Sequence, residues 1–170
     1  MHETIIPGPE TKRAYRAALG RYATGVTVVT AASDWGPVGI TANSFASVSL
    51  DPPLVLWSPA KSSKRFEHFA GARRFAIHVM AADQRDICAA ILDSKTAIRN
   101  VPTHLSHCGM PIIAGALATF ECNLETSHDA GDHVIIVGRV TKAHHTDGQP
   151  LTFHGGQYGT FAPYHPPSSE

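Results

Sequence analysis

Apolar and polar positions alternate along most of this chain with a period of two, interrupted at short intervals by glycine, proline and acidic turns. Residues 26–32 (VTVVTAA) are β-branched and strand-like, SDWG at 33–36 supplies turn chemistry, and residues 37–42 return as the second arm of a hairpin. In residues 44–50, Phe45, Ser47 and Ser49 alternate with Ala46, Val48 and Leu50. Pro52 and Pro53 end that strand, because proline cannot donate to a ladder. Residues 54–57, 74–80, 116–126 and 133–145 read as further strands, the last two joined by SHDAGD. Residues 151–161 form a final short strand around a Gly155-Gly156 bend. A helical period appears three times. Residues 10–20 place Tyr15, Ala18 and Leu19 on one face with Gly20 near the end. Phe66, Phe69 and Ala70 form a stripe closed by Gly71, with Ser62 or Ser63 as N-cap. Residues 82–92 make the third helix, with Asp83 as its cap, and residues 93–111, weakly periodic with two prolines, are expected to be mostly loop.

Many short strands and only three helices do not alternate as βαβ units. The expectation is a mainly β domain, an antiparallel barrel or sandwich with peripheral helices. A chain of 170 residues makes one such domain and buries about two-thirds of its unfolded surface. Residues 1–14 read as an N-terminal extension, 15–162 as the domain, and 163–170 as a disordered tail.

Fourteen basic and fourteen acidic residues cancel, which leaves no electrostatic footprint for nucleic acid or an anionic membrane. No apolar run approaches the roughly 20 residues of a membrane span, and the N-terminus lacks the blocks of a signal peptide. Three widely spaced cysteines argue against a disulfide framework and fit a reducing cytoplasm. Eleven histidines raise a metal question. His104, His107 and Cys108 form H-x-x-H-C, with Cys122 and His128 downstream, but no second pair stands at zinc spacing, so these read as loop residues and a half-buried thiol.

Nucleotide-binding signatures of parallel sheets are absent, with no G-x-G and no G-x-x-x-x-G-K-[ST], and there is no G-x-S-x-G nucleophile elbow. Anion-binding chemistry gathers instead at Lys61, Ser62, Ser63 and Lys64, expected at a helix start, where free N–H groups, two hydroxyls and two ammonium groups could hold a phosphate. The alternative there is a simple capping serine with solvated lysines. Residues 41–49 complement this segment, since a backbone edge flanked by Ala42, Asn43, Ser44 and Ser47 can hydrogen-bond a flat heterocycle while leaving room for its face. Taken alone, such a stretch is an ordinary amphipathic strand.

The ordered combination of ATGVTVVT, TANSFASVSLDPP, WSPAKSS, RFAIHVM and GDHVIIVGRV resembles the short-chain flavin reductase family, from about residue 15 to 161. That resemblance implies an FMN-binding split β-barrel, the reductase of a two-component monooxygenase, with FMN or FAD as cofactor and NADH or NADPH as co-substrate. By the same resemblance, Thr41, Ala42, Asn43 and Ser44 would meet the flavin ring. Trp57, Ser58, Lys61, Ser62, Ser63 and Lys64 would hold its ribityl chain and phosphate. His133 of the GDH motif would lie beside the nicotinamide, and Tyr158 or Phe161 would close that region. Homodimers are the family norm, and a separate monooxygenase is the implied recipient of reduced flavin. Two positions depart from the family pattern: His78, where relatives carry a small polar residue, and residues 92–108, which replace a loop with an aromatic. Hydride transfer needs little acid–base help from the protein, so placement is the expected contribution, with His133 positioning nicotinamide or shielding the ring. A non-enzymatic FMN electron carrier on the same fold, or a barrel without flavin, are the competing readings.

Overall fold

The structure is a computed structural model and describes residues 4–34, 36–93, 98 and 100–164. Trp35 of the SDWG turn and most of the tail expected beyond residue 162 lie outside these residues. Helix α1 spans Lys12–Leu19. Strands β1 (Thr24–Gly25), β2 (Thr27–Ser33), β3 (Gly36–Ala42), β4 (Ala46–Leu50) and β5 (Pro53–Trp57) follow, then helix α2 (Phe66–Ala70) and strand β6 (Arg74–Val79). After a single 3-10 turn come α3 (Arg85–Asp93), β7 (Thr103–Leu105), β8 (Pro111–Ile113), the long strands β9 (Ala118–Ala130) and β10 (His133–His145), and finally β11 (Leu151–His154) and β12 (Gln157–Thr160).

Seven strands form one antiparallel sheet in the order β3-β2-β6-β9-β10-β5-β4. Its two outer strands, β3 and β4, are separated in sequence by only residues 43–45, a link that extends at most roughly 3.5 Å per residue. The two edges of the sheet are therefore drawn together, and the sheet must roll. No ladder joins β3 to β4, so the roll stays open along that seam, as a split barrel does. This is the mainly β barrel with peripheral helices that the period-two pattern predicts.

The inside of the roll is packed by Val29, Val38, Trp57, Phe69, Phe75, Ile77 and Ile136. Trp57 meets Phe69 edge-on, ring centroids 5.2 Å apart, and tilts against Phe75 at 6.1 Å. The outer face of β2 and β6 is covered by α3 and its neighbours, through Val28, Met80, Cys88, Ile91 and Ile113. This double cover explains why β2 buries five consecutive residues rather than alternating.

Several elements differ from the sequence expectation. The SHDAGD connector is mostly strand: β9 runs to Ala130, and the turn is Gly131-Asp132 alone, with Gly131 at φ 66° as a two-residue hairpin of this kind requires. Residues 151–161 are two strands, because Gly155 and Gly156 both take positive φ and close a tight hairpin. Within the segment expected as loop, β7 and β8 pair, and their ends are tied where Ser106 Oγ accepts the Met110 N–H at 3.2 Å. Neither Ser62 nor Ser63 caps α2; the N-cap is Arg65, without a side-chain cap bond. Asp83 does not cap the third helix either. Gln84 does that work, its Oε1 accepting the Ala81 N–H at 3.1 Å and its Nε2 donating to Ala114 O at 2.8 Å. Helix α1 buries none of its residues, so the apolar face of Tyr15 and Leu19 is exposed. Cys108 is exposed, whereas Cys88 and Cys122 are buried, and all three thiols are free.

Candidate functional site

The open seam carries a pocket lined by many of the residues singled out in the sequence. Strand β3 pairs on one side only, so the backbone groups along its other side have no ladder partner among the described residues. Beside that edge lies a pocket of about 210 Å³ lined by Thr41, Ala42, Asn43, Ser44, Trp57, Ser58, Ser63 and His133, with Ile40, Pro59 and Ala60 completing it. Its walls are fixed to each other by one side chain. Ser44 Oγ accepts the Ser58 N–H at 2.9 Å and contacts Ser58 O at 3.3 Å, pinning the chain after β3 to the chain after β5.

The GDH turn closes the pocket from the far side. Val134 N–H donates to Pro59 O at 3.1 Å and Lys61 N–H to Asp132 O at 2.9 Å, while Ala60 and His133 form an antiparallel bridge. Residues 59–61 are thus added to the start of β10 as a short extra strand, which holds His133 at the pocket. The His133 Nδ1 lies 2.7 Å from Asp132 Oδ1. A carboxylate can only accept, so the proton sits on Nδ1 and Nε2 is the atom left for a ligand. This hydrogen bond from His133 is also the main reason the Asp132 carboxyl is held below its ordinary value; His133's charge and, more weakly, Lys12's add to it.

Two buried polar atoms of pocket residues lack any hydrogen-bond partner: Trp57 Nε1 and Thr41 Oγ1. A buried donor left unpaired costs about 1–3 kcal/mol, so such atoms are rare unless something else meets them. A planar heterocycle with alternating donors and acceptors along one rim matches the pocket itself: an unpaired strand edge flanked by Ala42, Asn43 and Ser44, with the His133 imidazole across from it. The isoalloxazine of a flavin fits that description.

Of the other predicted residues, all but Ser63 stand outside the pocket lining. Lys61 Nζ is committed to the Asp129 carboxylate and to Gly131 O at 2.7 Å, bracing the GDH turn. Lys64 and Ser62 are exposed on turns that precede α2 and do not line the pocket. The helix-start argument for a phosphate does not hold as stated, since α2 is a five-residue helix beginning only at Phe66. Ser63 lines the pocket but spends its Oγ accepting the Arg65 N–H at 3.3 Å. Ser47 is exposed on β4, beside a register break in the β4–β5 ladder. Tyr158 packs edge-on against Phe153 at 5.4 Å, with the Arg85 guanidinium 5.6 Å from its ring, and belongs to the separate β1-β11-β12 sheet. Phe161 follows that sheet and is exposed. Neither aromatic lines the pocket within one chain. His78 is fully buried between β2, β6 and β8, away from the pocket lining, so its departure from the family pattern concerns the core. His104, His107 and Cys108 sit on the β7–β8 hairpin, and no group of three potential metal ligands is gathered among the described residues.

A rolled antiparallel sheet, open at one seam and with a pocket at that seam lined by residues 41–44 and His133, has the architecture of a flavin-binding split barrel. The chain belongs to the flavin reductase like domain family, whose sequence profile matches residues 19–162. It is 54% identical over 158 residues to an NADH-dependent FMN reductase, SmoA, of Agrobacterium fabrum, covering 93% of this chain and 91% of that protein. It is 37% identical over 153 residues to HsaB, the reductase subunit of a flavin-dependent monooxygenase of Rhodococcus jostii, covering 89% and 78%. Among solved structures it is similar to the Streptomyces globisporus NADH:FAD oxidoreductase SgcE6 in complex with NAD and FAD fragments. That match has a TM-score of 0.86 at 36% identity and covers 94% of this chain and 98% of that one.

Proposed function

We propose that the seam pocket is where this oxidoreductase holds a flavin and reduces it with NADH, passing reduced flavin to a separate monooxygenase. The observation that carries the assignment of the site is a pocket at the unpaired edge of β3, lined by residues 41–44 and by His133, whose Nε2 is left for a ligand. Flavin, when bound, supplies the redox chemistry, accepting a hydride from the nicotinamide. The protein's share is placement. Residues 41–44 offer amides to the ring's polar rim, where fixed donors stabilise the charge that grows on reduction. Ser44 holds the two walls at a constant spacing. His133, oriented by Asp132, is the residue for positioning nicotinamide, and Lys61 keeps its turn in place. Ser63, on the pocket wall, and Lys64 beyond it are the groups for the ribityl phosphate, on a turn rather than on a helix end.

A homodimer fits the exposed Val48 and Leu50 of edge strand β4, which an adjoining copy would cover. Three free thiols and dependence on a nicotinamide donor suit the cytoplasm. No helix of the described residues is long and apolar enough to cross a membrane.

The test combines flavin titration with rapid-mixing reduction. FMN and FAD are titrated into the apoprotein, and reduction is then followed with NADH and with NADPH. The expected result is saturable flavin binding and NADH oxidation that requires flavin. In His133→Ala, reduction slows more than flavin binding weakens. Flavin binding without NADH oxidation would make the protein a carrier, and no binding at all would remove the site.

A further inference from the structure

Helix α1 carries an apolar stripe that its own chain leaves uncovered. Tyr15 and Leu19 lie one turn apart, Tyr22 follows just beyond the helix, and all three are exposed, Tyr22 to 78%. The end of the helix is nevertheless tied down, since the Gly155 N–H donates to Gly20 O at 2.9 Å. Eight residues are too few for a stable helix in water without packing, and α1 buries none of its own. Something outside the chain completes it.

A second uncovered surface lies on the sheet. Along β5 and β10 the core takes Val55, Trp57 and Ile136, so the alternation turns Leu54, Leu56, Ile135 and Val137 to the outer face. None of those four belongs to a buried cluster, whereas the outer face of β2 and β6 is packed under α3. Beside them, edge strand β4 exposes Val48 and, at 96%, Leu50. The two surfaces also differ in charge. Residues 10–22 hold four basic residues and one acidic, while residues 46–61 and 123–140, which build the sheet face, hold four acidic and two basic. Two copies of α1 laid on each other would bring like charges together and repel. Laid on the sheet face of a second copy, each α1 meets both the opposite charge and an apolar surface.

We propose that α1 of one protomer packs the stripe of Tyr15, Leu19 and Tyr22 on the outer β4–β5–β10 face of a second copy, which returns the same contact. The inference rests on the homodimer reading and names the surfaces that meet. One twofold axis covers both faces of each chain at once.

The experiment uses the whole chain and two variants, one for each surface: Leu19→Asp/Tyr22→Asp on α1 and Val48→Asp/Leu50→Asp on β4. Light scattering after size exclusion reads the mass across a dilution series. The parent is expected to be a dimer. Each variant is expected to come apart at a concentration at least about a hundredfold higher, because a twofold contact takes every change twice. Mixing the two variants is the decisive arm. The α1 variant keeps an intact sheet face and the β4 variant an intact α1, so their mixture regains one of the two contacts. It is expected to dimerise at least about tenfold more tightly than either variant alone. A mixture no tighter than its components overturns the proposal. So does an α1 variant that stays dimeric while the β4 variant dissociates, which would assign the helix to a partner other than this chain. A parent that is monomeric at every concentration refutes the homodimer reading itself, whereas a dimeric parent with equally dimeric variants refutes only the pairing of α1 with the sheet face. Where circular dichroism finds a double variant unfolded, Leu19→Ser and Leu50→Ser are read in the same way.

Discussion

His78 sets the acid stability of this fold. Its ring is fully buried, with Nδ1 3.0 Å from Val28 O and Nε2 3.2 Å from the Ile113 nitrogen. Because Nε2 accepts the Ile113 N–H, the mobile proton must sit on Nδ1, where it donates to Val28. A second proton on Nε2 would face a donor and charge a desolvated ring. Burial accordingly pushes the His78 pKa down to about 4 from 6.5, against a partial rise from the Val28 hydrogen bond and with a small further lowering from His104. The unfolded chain takes up a proton at this residue below pH 6.5, and the folded chain does not until about pH 4. The stability contributed by the neutral ring is therefore complete above pH 6.5 and is lost as pH falls from there to about 4, where the loss levels off. A difference of 6.5 − 4 = 2.5 pKa units at 1.36 kcal/mol each makes the total about 3 kcal/mol. His78→Gln keeps a donor and an acceptor but does not titrate. Urea unfolding of parent and variant at intervals between pH 7 and pH 4 measures the effect, since all other titrating groups cancel in the difference. The parent is expected to lose about 3 kcal/mol more than the variant across that window. A stability gap independent of pH would refute the assignment of a neutral, doubly bonded His78.

Gly138→Ala should destabilise the barrel by about 1–3 kcal/mol, because the added Cβ would stand 2.6 Å from Phe75 Cζ and 3.0 Å from Cys122 Cβ; thermal unfolding reads it. Gln84→Leu strands both the Ala81 N–H and the Ala114 carbonyl and should cost roughly 2–4 kcal/mol by chemical denaturation. Trp57→Phe keeps most of the packing and deletes the orphaned indole N–H. FMN affinity should fall severalfold, and unchanged affinity would show that this donor serves no ligand. Ser44→Ala frees the Ser58 N–H and should weaken flavin binding more than it lowers the melting temperature.

The period-two runs made the strands legible, and the small-residue stretch read as a ring wall falls at the end of β3 and just beyond it, along the seam. Thr41, Ala42, Asn43 and Ser44 do line one pocket with Trp57, Ser58, Ser63 and His133. What the sequence concealed was long-range accounting. Nothing local to Lys61 reveals that Asp129 and Gly131 occupy its ammonium, because those partners arrive through a hairpin nearly 70 residues on. Gln84 outcompeted Asp83 as a cap because its longer side chain spans from Ala81 to Ala114. Ser62 and Ser63 were plausible caps by residue type, but two successive turns, Ser63 N–H to Ala60 O and Phe66 N–H to Ser63 O, delay α2 past them.

The unzipped seam between β3 and β4 has a thermodynamic consequence. A sheet that stops one ladder short of closure forgoes hydrogen bonds that its own backbone could have made, and under the proposed function the same amides serve a guest. Occupancy and folding then draw on shared atoms, so the empty barrel is the softer species and saturating ligand raises its melting point in proportion to the logarithm of ligand concentration.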